Sequence, residues 1–161
     1  MTPEQEVLFN TYGCGSRCLI KLSELHGRPI TKADFLARFL PKYEAIWKGK
    51  ELGGTVTSTL IEMARELGLC IHADARTDPI LVRETIRTHR ISGVIVTTDR
   101  EVSSGVTTHA LLHCRLFRGF GRDNGNWALW EPYQDGAERD NVLYSDIDLQ
   151  LRCAHFLMFY R

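Results

Sequence analysis

The sequence contains no hydrophobic run long enough to cross a membrane and no excess of charge of either sign. A membrane-spanning helix needs roughly 18 or more consecutive apolar residues, and no stretch of this chain has them. The chain has 20 basic and 20 acidic residues, so its formal net charge is zero. A nucleic-acid-binding surface needs an excess or a cluster of Lys and Arg. We therefore expect neither a membrane span nor a nucleic-acid partner.

The N-terminus and the cysteines also lack the features of a secreted protein. Residues 1–6 are acidic and are followed by no apolar stretch of signal-peptide length. The 5 cysteines are odd in number and include no CxxC pair, which argues against a disulfide framework and favours a reducing compartment. The expected location is the cytoplasm, or outside the cell after export that needs no general secretory signal peptide.

Repeats, low-complexity runs and linker-like segments are missing too, so residues 1–161 are predicted to form a single domain. Helical periodicity in the first half and strand-like runs in the second predict an α+β fold, with N-terminal helices packed on a C-terminal antiparallel sheet. The predicted helices are 15–26, 31–39, a segment between Thr55 or Thr57 and Gly68, and 79–88. The predicted strands are 69–73, 91–97, 109–118, 127–131, 143–149 and 153–160.

The apolar faces of these helices are expected to cover the sheet and to supply most of the stabilising burial. The helix positions assigned to this contact are Leu22, Leu25, Leu60, Ile61 and Leu67. The strand positions assigned to it are Val94, Val96, Leu111, Phe117 and Leu129.

Cys14 is the candidate nucleophile. It lies between Gly13 and Gly15 at the predicted start of the first helix, where unpaired amides and the helix dipole favour a thiolate. The two glycines are expected to leave room for a substrate backbone. Cys18, one turn later on the apolar face, is expected to be a small core residue.

His109 is the candidate base, because it begins a strongly apolar strand directly after a polar loop. His113 lies four residues later on the same strand face and is the alternative. The Asn124-Gly125 turn predicts a hairpin with the following strand, and Glu131 at the end of that strand is expected to lie near His109. A carboxylate there would fix the imidazole tautomer.

These residues resemble a known family of enzymes. The segment Cys14-Gly15-Ser16-Arg17-Cys18-Leu19 is similar to the opening motif of the bacteriocin-processing (double-glycine leader) cysteine peptidases, a papain-like group. Gly54-Thr55, Leu60, Ala64 and Leu67-Gly68-Leu69 resemble that group's next helix, and His109 followed later by Glu131-Pro132 and Gly136 resembles its last block. The resemblance implies a papain-like fold, hydrolysis of a peptide or protein substrate through a thioester, and no cofactor or metal.

The chain departs from that pattern at two positions. Glu131 stands where the group has Asp, and no Gln lies five or six residues before Cys14, where the group has its oxyanion donor. Asn10 is the nearest amide and is the candidate replacement, with a turn-forming role as the alternative. The resemblance thus predicts a triad of Cys14, His109 and Glu131, with Asn10 as oxyanion donor. The protein would be a stand-alone protease or a delivered bacterial effector.

Two other functions fit parts of the sequence. Cys14, Cys18, His109 and His113 together could form a Cys₂His₂ zinc site, although structural zinc pairs usually have closer cysteines. A papain-like domain with impaired catalysis could instead bind peptides in a groove lined by Trp47, Trp127 and Trp130. The sequence specifies neither the cleavage specificity nor the oligomeric state.

Overall fold

The computed structural model describes residues 2–48, 57–104, 107–132 and 138–161, with only the backbone described for 8, 10–12, 43–48, 99–104, 107–112 and 138–141. Its helices are α1 (Pro3–Tyr12), α2 (Cys14–Leu25), α3 (Lys32–Lys48), α4 (Thr57–Glu66), α5 (Pro79–Thr88) and α6 (Asp146–Leu151). Its strands are β1 (His72–Arg76), β2 (Ile91–Ser104), β3 (Thr107–Phe120), β4 (Trp127–Pro132), β5 (Glu138–Tyr144) and β6 (His155–Tyr160).

The six strands form one antiparallel sheet in the order β1-β6-β2-β3-β4-β5. β2 and β3, the two longest strands, lie at its centre and pair over ten residue positions. The predicted hairpin between β3 and β4 is present, with Leu116 opposite Trp130 and Phe117 opposite Leu129. The predicted α+β class is confirmed.

Two helices follow capping patterns that the sequence analysis overlooked. Thr2 caps α1 in a reciprocal capping box with Gln5, and Pro3 occupies its first turn. Ser145 and Asp148 form the same box at the start of α6. The predicted strand 143–149 is therefore wrong beyond Tyr144, because a capped helix begins there. Helix α3 also runs past the predicted end and contains Pro41.

The sheet separates two apolar clusters, each covered by helices. One cluster lies between one face of the sheet and the four helices α1, α2, α3 and α4. The other lies between the opposite face and the helices α5 and α6. Leu22 and Leu60 pack in the first cluster as predicted, but Leu25 is exposed. Val94, Val96 and their neighbours lie in the second cluster, so the predicted contact chose the wrong face of the strands.

That error has a simple physical origin. Side chains alternate between the two faces of a strand, and both faces of this sheet are covered. Consecutive strand residues are then all apolar, and without an alternation of apolar and polar residues the sequence does not show which of them face which helices. The buried strand positions in the cluster with the N-terminal helices are Ile95, Cys114, Leu116, Trp130, Leu157 and Phe159.

Candidate active site

Cys14 is the first residue of α2, directly after the end of α1. Gly13 serves both as the C-cap of α1 and as the N-cap of α2, so one residue joins the two helices. Gly13 and Gly15 are buried, and a Cβ added at Gly15 would lie 2.9 Å from Leu60 Cδ2 on α4. Gly15 therefore permits close packing of α2 against α4, and a Cβ at Gly13 would collide with the carbonyl oxygen of Phe9. The protein itself fills the space beside both glycines, so the expectation that they make room for a substrate is wrong.

The sulfur of Cys14 lies against β3, where three donors surround it. It hydrogen-bonds with the thiol of Cys114, the ring of His113 and the backbone of Cys114. The hydrogen bond from Cys114 lowers the pKa of Cys14 most, burial opposes it, and the bond and charge of His113 lower it further. The net result is a pKa well below the usual range for a thiol, which favours a thiolate.

His113 joins Cys14 to Glu131. Its Nε2 hydrogen-bonds with Glu131 Oε1, which leaves Nδ1 as the ring nitrogen for Cys14. The ring is buried, and burial alone would lower its pKa. The hydrogen bonds and negative charges of Cys14 and Glu131 outweigh that effect, so the pKa of His113 is raised and the imidazolium is favoured.

Glu131 is a buried carboxylate whose two oxygens have different partners. Oε1 accepts from His113, and Oε2 accepts from Nε of Arg115. Burial would raise the pKa of Glu131, but the hydrogen bond and charge of His113 and the charge and hydrogen bond of Arg115 lower it. Nη1 of Arg115 donates in turn to Thr98 Oγ1 on β2. A chain of hydrogen bonds thus runs from Cys14 to Thr98, with alternating charges.

The structure places His113, and not His109, beside Glu131, which corrects the sequence-based assignment. The hairpin register pairs Leu116 with Trp130, so Glu131 lies at the level of Arg115. His109 is four residues from His113, roughly 13 Å along a strand that rises about 3.3 Å per residue. The side chain of His109 lies outside the described part of the chain.

The sequence held enough information to find His113. Counting outward from the turn at residues 121–126 places Glu131 near residue 115, and residues two apart share a face. The expectation that Glu131 lies near His109 is wrong because it treats the two residues as matching strand ends away from the turn. The strand in fact continues in the N-terminal direction to Thr107.

Asn10, the predicted oxyanion donor, lies in α1 and precedes Cys14 in the chain. Asn10 lies in the last turn of α1, so the alternative of a turn-forming residue is wrong, and its side chain lies outside the described residues. Gln5 is occupied at the other end of α1, where its side chain caps the helix. The backbone amides of the first turn of α2 remain as donors next to Cys14.

The other cysteines described differ from Cys14. Cys18 is fully buried, and burial and the nearby Cys14 charge raise its pKa well above the usual range, as expected for a neutral core thiol. Burial also raises the pKa of Cys70. Among the side chains that the structure describes, no three or more His, Cys, Asp or Glu residues converge as a metal site requires.

The tryptophans give no support to a peptide groove. Trp127 is fully buried in the cluster beneath α5 and α6, and its Nε1 donates to Asp146. Trp130 is 2% exposed and packs on the opposite face. The buried Trp127 ring lines no open groove, so that expectation is wrong for Trp127. Trp130 borders a pocket of about 40 Å³ beside Lys21 and Lys32, which is too small to hold a peptide. The side chain of Trp47 lies outside the described residues.

No family model matches the chain, and neither a curated protein nor a solved structure matches it. Of the helices described, none combines the length and apolar character that crossing a membrane requires. The interpretation of the site therefore depends on its chemistry.

Proposed function

We propose that the protein is a thiol hydrolase that cleaves peptide or other amide bonds, with Cys14 as nucleophile, His113 as acid and base, and Glu131 as the group that orients His113. The observation that supports this most is the hydrogen-bonded chain from the Cys14 sulfur through His113 to Glu131. A nucleophile, a base and an orienting carboxylate in that order are the working parts of covalent acyl transfer.

In the acylation step, the Cys14 thiolate attacks the carbonyl carbon of the substrate. A carbon–sulfur bond forms, and the π electrons of the carbonyl move onto its oxygen. First-turn amides of α2 would stabilise that oxyanion, helped by the positive end of the helix dipole. The intermediate collapses, the carbon–nitrogen bond breaks, and the proton on His113 passes to the leaving nitrogen. The products are a free amine and a thioester on Cys14.

In the deacylation step, neutral His113 accepts a proton from a water molecule as that water attacks the thioester. The carbon–sulfur bond then breaks, the acid product leaves, and the thiolate and imidazolium form again. Glu131 remains ionised throughout and stabilises the charged ring. Each turnover therefore ends with the Cys14 thiolate and the His113 imidazolium from which it began.

A papain-like architecture is part of this proposal. It is supported by the similarity of residues 14–19 to the opening motif of the bacteriocin-processing peptidases, and by a nucleophile at a helix start opposite a histidine on an antiparallel sheet. Glu131 in place of Asp adds one methylene between backbone and carboxylate. In this chain the longer side chain of Glu131 still places Oε1 within hydrogen-bonding distance of His113.

The proposal is tested by the reactivity of the individual thiols. At pH 6, iodoacetamide should alkylate Cys14 at least about tenfold faster than Cys70, since only Cys14 is held as a thiolate. Peptide mapping by mass spectrometry gives each rate in the same sample. Equal rates at the two cysteines would overturn the proposed activation.

A cleavage assay tests the reaction itself. A proteome-derived peptide mixture incubated with the protein should acquire new N-termini, detectable by mass spectrometry. Cys14→Ser is the matched control for the nucleophile, and Cys18→Ser on the same helix is the control for loss of any thiol. Cleavage that survives Cys14→Ser would assign the activity to something else.

A further inference from the structure

Arg115 occupies a position that the proposed hydrolysis does not itself require. It is 6% exposed, lies two residues from His113 on β3, and binds the Glu131 oxygen that His113 leaves free. An unpaired arginine is almost never buried in a protein core, because removing its charge from water is costly. Its burial beside Glu131 therefore needs an explanation.

The guanidinium of Arg115 is itself fixed from two directions. Nη1 donates to the hydroxyl of Thr98 on β2, and the guanidinium carbon lies 5.2 Å from the centre of the Tyr144 ring on β5. Contacts from both neighbouring sides hold the planar group in one orientation, so Nε is directed at Glu131. Lysine, a point charge on a flexible stem, would not reproduce these contacts.

We propose that Arg115 is a positioning residue, which holds Glu131 as an oriented carboxylate behind His113 and is itself fixed by Thr98 and Tyr144. This inference depends on the proposed function of the same site. Without Arg115, Glu131 would be a buried acid with one partner, free to rotate and easier to protonate. A protonated Glu131 no longer stabilises the imidazolium, and the thiolate of Cys14 loses its counter-ion in turn.

The charged and titratable groups described near Glu131 come from β3, α2 and β5. His113 and Arg115 face it from β3, and the thiolate of Cys14 and the neutral thiol of Cys18 lie near the same site on α2. On β5, the backbone of Arg139 pairs with Glu131, and the side chain of Arg139 lies outside the described residues. Arg17 on α2 acts on Cys18.

The experiment measures the rate of Cys14 alkylation by iodoacetamide from pH 5 to pH 10. Arg115→Met removes the charge and the donors but keeps much of the side-chain length. At pH 6 its rate should be about tenfold below that of the unaltered protein, and the two rates should converge near pH 9, where a thiol ionises without help. A uniform loss at every pH would indicate a structural role and overturn the proposal.

Three further variants test the same proposal if Arg115→Met folds poorly. Arg115→Lys keeps the charge and should recover part of the rate at pH 6, while Thr98→Val leaves the charge and should lower that rate less than Arg115→Met does. Arg118→Met removes an exposed charge from the same strand and should match the unaltered protein. An unchanged profile in both Arg115→Lys and Thr98→Val would contradict the fixed orientation of Arg115.

The result distinguishes this inference from the proposed function. If Cys14 of the unaltered protein reacts no faster than Cys70, the thiol hydrolase fails, whatever Arg115 does. If Cys14 is fast and Arg115→Met gives a superimposable pH profile, the hydrolase stands and the role of Arg115 is wrong. Proton NMR of the His113 ring gives an independent measure, since its titration midpoint should fall in Arg115→Met.

Discussion

The strands of the sheet have two halves of opposite character. Near the hairpin turn, the strands present an apolar half that packs under α5 and α6, formed by Val94, Val96, Phe117, Trp127, Leu129 and Phe156. Farther along β2, β3 and β4, the strands present a polar half formed by Thr98, His113, Arg115 and Glu131. Both halves are buried, so burial by itself does not explain the difference.

The two halves contribute differently to folding. Burial of the apolar half stabilises the fold at about 25 cal/mol per Å² of apolar surface. The polar half must first give up its hydration, and good pairing only roughly compensates that cost. A sheet that needed only stability would continue the apolar half. In the proposed function the polar half acts on Cys14 and does not serve stability, and the predictions below separate the two roles.

The largest expected effect comes from His113. His113→Ala removes the acid, the base and the counter-ion of Cys14 together, so peptide cleavage should fall by at least about 10³-fold. His109→Ala is the matched variant on the same strand and should leave cleavage within a few-fold of the unaltered protein. The measurement is kcat/KM on a peptide found in the cleavage assay. The opposite ranking would restore His109 as the base.

A substitution in the apolar half should lower the stability of the fold and leave the reactivity of Cys14 unchanged. Leu129 is fully buried, and Leu129→Ala should lower the free energy of unfolding by about 2–5 kcal/mol because it leaves a cavity. Under conditions where the variant is folded, Cys14 should alkylate at the rate of the unaltered protein. Urea unfolding and alkylation at pH 6 check the two parts. A tenfold loss of reactivity would show that the halves are coupled.

Replacing the polar half by apolar groups should separate the two roles further. The combined variant Thr98→Val, His113→Leu, Arg115→Met and Glu131→Leu replaces the four side chains together, so none of them is left without its partner. Its free energy of unfolding should equal that of the unaltered protein or exceed it by up to about 4 kcal/mol, while cleavage is lost. Urea unfolding is the check. A clear loss of stability would mean that the network also contributes to folding.

The smallest expected effect is on the acid dependence of stability. The folded-state pKa of Glu131 lies below its usual value of 4.5, so the unfolded chain binds its proton first as the pH falls. The stability that Glu131 contributes is present above about 4.5 and lost as the pH falls through the lower folded value. Glu131→Gln should therefore flatten the fall in unfolding free energy between pH 5 and pH 3.

Asp146 supplies the internal comparison for that measurement. Although burial opposes it, hydrogen bonds from Arg83 and Trp127 lower the pKa of Asp146 at the edge of the apolar half. Some acid dependence should therefore remain in Glu131→Gln. Urea unfolding of both proteins across the same pH range measures the difference. Identical curves would mean that the ionised Glu131 contributes nothing to stability.

Much of the fold could be predicted from local patterns. The helix that begins at Cys14, the Asp78-Pro79 start of α5 and the hairpin around Asn124-Gly125 were all predicted and are present. In each case the determining contacts lie within a few residues of one another. The helices α1 and α6 were missed although their capping boxes are equally local, which shows that the information was present in the sequence.

The sequence by itself determined the residues of the proposed site: a cysteine at a helix start, a strand carrying two histidines and a carboxylate across a hairpin. Only the tertiary structure decided which histidine meets Cys14, because a strand offers every second residue to the same face and only the pairing register and the approach of α2 select one. It also decided the role of Arg115, since neighbours on β2, β4 and β5 that lie far apart in sequence define its surroundings.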